Sequence, residues 1–286
     1  MNLYVLSYTD DAASGRRLAE KIGAPFLYRV SDIRDTPDSP DTVIFNWGRG
    51  RGFDVGARTL LNNPEAVCRA VDKRTAFADF TRAGVPTPGW TTNRDVAVSW
   101  QLSGSTVYAR THPEGFDGAG LFVVHPIDTL PIAPLYTRAI PYIIDEYRVT
   151  VFKNKATFTQ KKVPVSARDR SAINYSVRTT AGGWGFDPAP AIEELSMAAI
   201  NAVYALGLDY GGVDLILARE HGARSGRSAY VLEVNTAPLL TPMCASAFTA
   251  AIKEYLENVS FNTGIEQESG FDIPPDEYSA YRDIIT

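Results

Sequence analysis

Apolar and polar positions along this 286-residue chain fall into short runs that switch between a period of two and a period near 3.6. Residues 3–8 read as a buried strand. Residues 11–22 follow with helical spacing, an acid in the first turn and Gly23 as the stop. Residues 25–30 and 42–45 are further short apolar runs, and this β-α-β-β order predicts a small Rossmann-like N-terminal domain over residues 1–62. The loop Thr9-Asp10-Asp11 carries no glycine fingerprint, so no dinucleotide site is expected there. Asn62-Asn63-Pro64-Glu65 starts a helix, with Asn as cap and Pro at the first helical position. Helical spacing continues or re-forms from Asp72-Lys73 to Ala83, and Gly84 ends it. Residues 106–110 and 121–124 predict strands. Residues 145–152 alternate cleanly, with Glu146, Arg148 and Thr150 on one face and Tyr147, Val149 and Val151 on the other. A turn at Lys153-Asn154-Lys155 leads to a return strand over 156–163. Residues 166–190 read as irregular, 191–206 as a helix stopped by Gly207, and 245–258 as a last helix.

Three stretches depart from plain folding patterns. The apolar runs 213–218 and 229–234 flank a Gly/Ser/Arg-rich turn and predict a hairpin. Glu233 and Asn235 then share a face, about 7 Å apart along the strand. Asp214 on the partner strand reaches the same spot if the register allows. Acids near strand ends often just face water, but here an acid and an amide interrupt an apolar strand that runs directly into Thr236-Ala237-Pro238. Two carboxylates and an amide oxygen form a hard, all-oxygen set suited to Mg²⁺ bound together with phosphates. The second stretch, Gly115-Phe116-Asp117-Gly118-Ala119-Gly120, joins two strands. It is either a plain glycine-rich hairpin or a flap whose N–H groups close over phosphates. In the third, Phe45-Asn46-Trp47-Gly48-Arg49-Gly50-Arg51-Gly52, glycines alternate with arginines just after a strand. Arg49 and Arg51 there either bind carboxylate or phosphate bidentately or form a solvated basic loop.

Composition narrows the function classes. A net charge of −5 without a basic block argues against a broad nucleic-acid surface, and no apolar run approaches a membrane span. The N-terminus lacks a basic, apolar leader, and Cys68 and Cys244 show no metal spacing. They are expected as reduced core residues of a cytoplasmic protein. There is no G-x-S-x-G, H-E-x-x-H, P-loop lysine or kinase motif, and His112, His125 and His221 are not paired by spacing.

Val213-Asp214-Leu215-Ile216-Leu217 followed by Tyr230-Val231-Leu232-Glu233-Val234-Asn235-Thr236-Ala237-Pro238 resembles the C-terminal signature of the ATP-grasp superfamily, and the likeness extends over roughly residues 64–258. It is similar in particular to RimK-type carboxylate–amine ligases and D-alanine–D-alanine ligases. Phe45-Asn46-Trp47-Gly48 also resembles short stand-alone ATP-grasp proteins of bacteriophages. The resemblance implies an α/β (α+β) architecture in which two α+β subdomains, residues 63–140 and 141–286, grip ATP beside the N-terminal domain. It implies Asp214, Glu233 and Asn235 as ligands of Mg²⁺, two ions as a rule and Mn²⁺ as a substitute. Lys73 matches a lysine facing the nucleotide phosphates. Arg110 stands where the family carries a lysine for the α- and β-phosphates, just before the flap with Gly115, Gly118 and Gly120. Glu146 falls on the ribose or adenine side, with Arg148 and one of Lys161 or Lys162 near phosphate or substrate. Strand parity does not choose between the two lysines. Arg178 and Asn174 match an Arg and an Asn that approach the γ-phosphate and the acceptor. The implied activity is ATP-dependent joining of a carboxylate to an amine, with Arg148, Arg178 and Lys162 as catalytic cations and Arg49 and Arg51 on the substrate carboxylate. A homodimer is common in the superfamily. A nucleotide-binding module without ligase activity, which Arg110 would favour, and a kinase on the same scaffold remain alternatives.

Overall fold

The computed structural model describes residues 1–115, 118–165, 173–220 and 226–268, with side chains to residue 259. Phe116 and Asp117 of the glycine-rich loop, residues 166–172 of the long segment, His221 and the acidic tail from residue 269 lie outside the described residues.

The N-terminal sheet is parallel. Its strands are β1 (Asn2–Ser7), β2 (Phe26–Leu27), β3 (Thr42–Trp47) and β4 (Thr59–Leu61), in the order β2-β1-β3-β4. Every residue of β3 is buried, the pattern of a strand covered on both faces. Helix α1 (Ala13–Ile22) ends on Gly23 at φ 68°, as its stop signal predicts. The expected acid is absent from its first turn, because Asp11 precedes the helix start. The run at 25–30 pairs only over β2 before a 3₁₀ turn at Val30–Asp35.

The helical stretch after Asn63 re-forms instead of continuing. Asn63 caps α2 (Pro64–Val71) by accepting from the Glu65 N–H at 2.8 Å. Asp72 then ends α2 and caps α3 (Lys73–Arg82), its Oδ1 accepting from the Arg74 N–H at 2.9 Å. Lys73 is therefore the first residue of a helix.

A second, antiparallel sheet holds β5 (Trp90–Thr91), β6 (Val107–Arg110), β7 (Leu121–Val124) and β8 (Leu135–Arg138), in the order β5-β8-β6-β7. Helix α4 (Arg94–Leu102) covers it through Ala97, which joins Val107, Ala109 and Tyr136 in a small core.

The third sheet, also antiparallel, runs β11-β10-β9-β12-β13. Its strands are β9 (Ile143–Phe152), β10 (Lys155–Pro164), β11 (Trp184–Pro188), β12 (Tyr210–Arg219) and β13 (Arg227–Asn235). Helices α2, α3 and α5 (Glu193–Ala205) share one core with it, built on Val67, Phe77, Phe80, Val149, Leu195 and Val213. Burying each such side chain contributes roughly 1.5–3 kcal/mol. Residues Met1–Ala251 form one compact unit holding all three sheets, and a second unit begins at Ile252 within α6 (Pro242–Glu268).

The first and third sheets meet through aromatic rings. Trp47 stacks on Tyr210 at 5.6 Å between centroids, Phe152 on Tyr210 at 6.3 Å, and Phe248 meets Phe152 edge-on at 5.5 Å. Beside them lies buried Asn62, at φ 64°. Its Oδ1 accepts from the N–H groups of Asp209 (2.8 Å) and Tyr210 (3.1 Å), and its Nδ2 donates to the Tyr210 carbonyl at 3.1 Å. Asn46 Nδ2 in turn donates to the Asn62 carbonyl at 2.8 Å. Gly48 sits at φ 85°, where a side chain would strike both Tyr8 and Ala237, so only glycine lets the end of β3 approach the turn after β13.

Two cysteine expectations divide. Cys244 is buried as expected, whereas Cys68 is exposed, its Sγ donating to the Gly50 carbonyl at 3.0 Å. Among the described residues, no helix is long and apolar enough to cross a membrane.

Candidate active site

Three adjacent strands place one charged row on a single face of the third sheet. Arg148 on β9 lies directly across from Asp214 on β12, and Asp214 directly across from Glu233 on β13. A β-bulge makes this possible. Asp214 pairs with Glu233 while Leu215 pairs with Val231, so Leu232 is the extra residue that shifts Glu233 into phase with Asp214. Arg148 grips Asp214 with both prongs, Nε to Oδ1 at 2.6 Å and Nη2 to Oδ2 at 2.7 Å. Its guanidinium also lies 4.5 Å from the centre of the Phe186 ring. Burial alone would lower the Arg148 pKa, but Asp214 outweighs it and holds the pKa above its usual value. Glu233 receives Lys73 Nζ at 3.1 Å, and Asn235 Nδ2 stands 3.4 Å from its other oxygen. Burial pushes Glu233 up; Lys73, with Arg110 and Arg148 beyond it, prevails and holds it at about 2.

A second cluster surrounds Glu146. Lys162 Nζ approaches one carboxylate oxygen at 3.3 Å and Arg178 Nε the other at 3.5 Å. Burial nevertheless raises the Glu146 pKa against the pull of both cations. The register settles the lysine parity: Lys161 pairs with Tyr147, on the opposite face, and its Nζ meets Asp145 at 2.7 Å. Arg178 belongs to the stretch 174–180, which Asn174 shapes by accepting from the N–H groups of Ser176 and Val177, both at 3.0 Å. Trp184 Nε1 donates to the Asn174 carbonyl at 2.8 Å, and Arg178 lies 4.6 Å from the Trp184 ring centre.

The second sheet supplies the facing wall. Arg110, at the end of β6, has a buried Nε with no hydrogen-bond partner. Burial lowers its pKa, and Glu233 opposes that. Lys73 Nζ donates to the Gly115 carbonyl at 2.8 Å and its N–H to the Pro113 carbonyl at 3.3 Å, tying the start of the glycine-rich loop to α3 and, through the same ammonium, to Glu233. The Thr111 N–H closes the loop on the Gly120 carbonyl at 2.9 Å.

These groups enclose a cavity of about 510 Å³. Of the residues singled out in the sequence, Arg110, Gly115, Gly118, Glu146, Arg148, Lys162, Arg178, Asp214, Glu233 and Asn235 line it. Lys73 stands behind Glu233, Asn174 behind its loop, and Gly120 at the loop's end. Arg49 and Arg51 are not brought there. Arg49 Nη2 is spent on the carbonyls of Ser7 (2.8 Å) and Tyr28 (2.6 Å), and Arg51 is exposed. Sequence reasoning missed Tyr108, Arg138 and Phe186. Tyr108 was within reach, since it lies two residues before Arg110 and so shares its face. Phe186 was not, because β11 sits in a stretch without strand periodicity.

No family model matches the chain. A probable α-L-glutamate ligase of Parasynechococcus marenigrum is 27% identical over 209 residues, covering 70% of this chain and 43% of that protein. The chain thus spans less than half the length of that relative. The D-alanine–D-alanine ligase of Bacillus anthracis superposes with a TM-score of 0.61 at 15% identity, over 93% of this chain and 99% of that one. The ATP-grasp ligase PsnB, complexed with minimal precursor, Mg and ADP, superposes at 0.61 and 15% identity, over 88% and 96% of the two chains. The macrocyclase MdnC of Microcystis aeruginosa, bound with precursor peptide MdnA, does so at 0.55 and 14%, over 88% and 99%. This chain has the ATP-grasp fold.

Within the ATP-grasp fold, the residues that could hold a divalent cation are Asp214, Glu233 and Asn235. Their donor set is all oxygen, and both carboxylates already hold a cation, Arg148 and Lys73 respectively. Among the described residues, no group of three or more His, Cys, Asp or Glu forms a metal cluster. A metal here would therefore take the Asn235 amide as its third protein donor and complete its shell from a ligand. The chemistry of the set fits a hard cation.

Proposed function

We propose that the protein is an ATP-dependent carboxylate–amine ligase that works through an acylphosphate. The observation that carries this reading is the buried Arg110 Nε, which has no hydrogen-bond partner, in the same cavity as the Asp214–Glu233 carboxylate pair. An anion site facing a hard-cation site is what a metal–triphosphate complex requires. In this reading Arg110, Lys73 and the loop carrying Gly115, Gly118 and Gly120 hold phosphates, and Glu146 takes the sugar side. Arg148, Lys162 and Arg178 neutralise the charge that develops on the transferred phosphoryl group and the acyl oxyanion. Magnesium would supply charge neutralisation at Asp214, Glu233 and Asn235. A carboxylate oxygen of the substrate displaces ADP from the γ-phosphorus; an amine then attacks the acyl carbon and phosphate leaves. The domain division that accompanies this reading is 1–62, 63–140 and 141–286. The ligase names carried by its structural neighbours and by its curated relative support it.

Arg110 in place of a lysine favours a second reading, a module that binds nucleotide without ligation, because the fork differs from an ammonium in length and shape. ADP and phosphate release with Mg-ATP, measured against pooled carboxylates with and without pooled amines, separates the two. The ligase requires release that rises only when both pools are present. Nucleotide binding with no release under any pool would favour the module.

A further inference from the structure

Two rings on β11, Trp184 and Phe186, stand two residues apart and so share a face. Each lies against a cation that the ligase reading uses. The Arg148 guanidinium carbon is 4.5 Å from the centre of the Phe186 ring, and Lys162 Nζ is 5.6 Å from the same centre. Arg178 repeats the arrangement at 4.6 Å over Trp184. The register explains how one ring meets two cations. Phe186 pairs directly across from Lys162 on β10, and β10 pairs with β9, so the ring reaches Arg148 on the diagonal. Phe186 is half-buried and lines the cavity, which sets it apart from the fully buried rings of the core.

A ring does here what neither a carboxylate nor an aliphatic side chain can do. Another carboxylate would hold the cations but cancel the charge that a phosphoryl group or an oxyanion needs. An aliphatic side chain would desolvate them on that side and give nothing in return. The electron-rich face of a ring attracts a guanidinium or an ammonium and leaves its full charge directed into the cavity. Asp214 also grips Arg148, but it belongs to the proposed metal set, and a carboxylate drawn to a metal loosens its hold. The ring keeps its hold whatever the carboxylate does. With that face taken by Arg148, it is not available to a nucleotide base.

We infer that Phe186 is a positioning residue of the proposed ligase reaction: it fixes Arg148 and Lys162 where charge develops without neutralising them. The inference rests on the ligase reading for what the two cations act on.

Two measurements on the full chain test this, and the first needs no turnover. In protein labelled with ¹⁵N-arginine, a ring current moves the Nε–H signal of a guanidinium seated on a ring upfield. The signal assigned to Arg148 through Arg148→Lys should lie upfield, return to the ordinary range in Phe186→Leu, and stay shifted in Phe186→Tyr. A signal that Phe186→Leu leaves in place overturns the inference whatever the activity. The second measurement places mono-, di- and trifluorinated phenylalanine at position 186, which drains charge from the ring face at nearly constant size. The kcat of ADP and phosphate release should fall step by step, by about tenfold across the series, the scale of a desolvated cation–π pair. KM for ATP and the thermal midpoint should stay put, since the loss falls on the transition state. A flat kcat across the series means that the ring only fills space, and it overturns the inference while the ligase reading stands. No release from the parent protein under any pool of carboxylates and amines would overturn the ligase reading. The arginine signal then decides alone whether Phe186 holds Arg148.

Discussion

Arg110 and the two carboxylates opposite it set the sharpest expectations at the scale of single residues. Replacing Arg110 with Ala should weaken Mg-ATP binding by about 1–3 kcal/mol, the range of a hydrogen bond to a charged group. Calorimetric affinity checks this, and unchanged affinity would return Arg110 to a structural role. Asp214→Asn should abolish Mg-ATP turnover with the far-UV circular dichroism intact; full turnover would remove Asp214 from the metal set. Glu233 adds a pH signature. Its folded pKa is depressed from the ordinary 4.5 to about 2, so its contribution to stability is complete above 4.5 and lost as pH falls toward 2. Urea midpoints measured across that window should fall less steeply for Glu233→Gln than for the parent. Much of this site was legible in the sequence, because alternation alone puts Glu146 with Arg148 and Glu233 with Asn235. The choice of Lys162 over Lys161 was not, since it depends on which residue of β9 each one faces.

Elements with a strong local signal came out close to their expected bounds. β7 occupies the expected residues 121–124, and α5 spans Glu193–Ala205 against an expected 191–206. Elements defined by distant partners did not. β5 and β11 are short edge strands that exist only because β8 and β10 pair with them, so nothing in their own sequence announces them. The stretch 166–190 was expected to be irregular, yet its last part forms β11 and carries Phe186 beneath Arg148. In the described part before it, the Asn174 side chain fixes the turn that leads to Arg178. Asn174→Ala removes two hydrogen bonds, about 0.5–1.5 kcal/mol each. Amide hydrogen exchange should then rise over residues 174–180 and stay unchanged in β12. An equal rise in both would indicate general destabilisation instead.

Across the whole molecule, Asn62 joins the N-terminal sheet to the strand that carries Asp214. Asn62→Ala loses the amide's hydrogen bonds and places Ala at φ 64°, whereas Asn62→Gly loses only the bonds. Alanine should therefore be the less stable variant by about 1–2 kcal/mol in urea denaturation, the cost of the left-handed backbone. The aromatic contacts beside Asn62 also impose an order of events on synthesis. Trp47 and Phe45 leave the ribosome long before Phe152, Tyr210 and Phe248, the last of them about 200 residues behind Trp47. At about 5–20 residues per second, the nascent β3 waits roughly 10–40 s for the rings that cover it. Through that interval the newborn chain presents Phe45 and Trp47 without their later ring partners, the point at which overexpression would first yield aggregates.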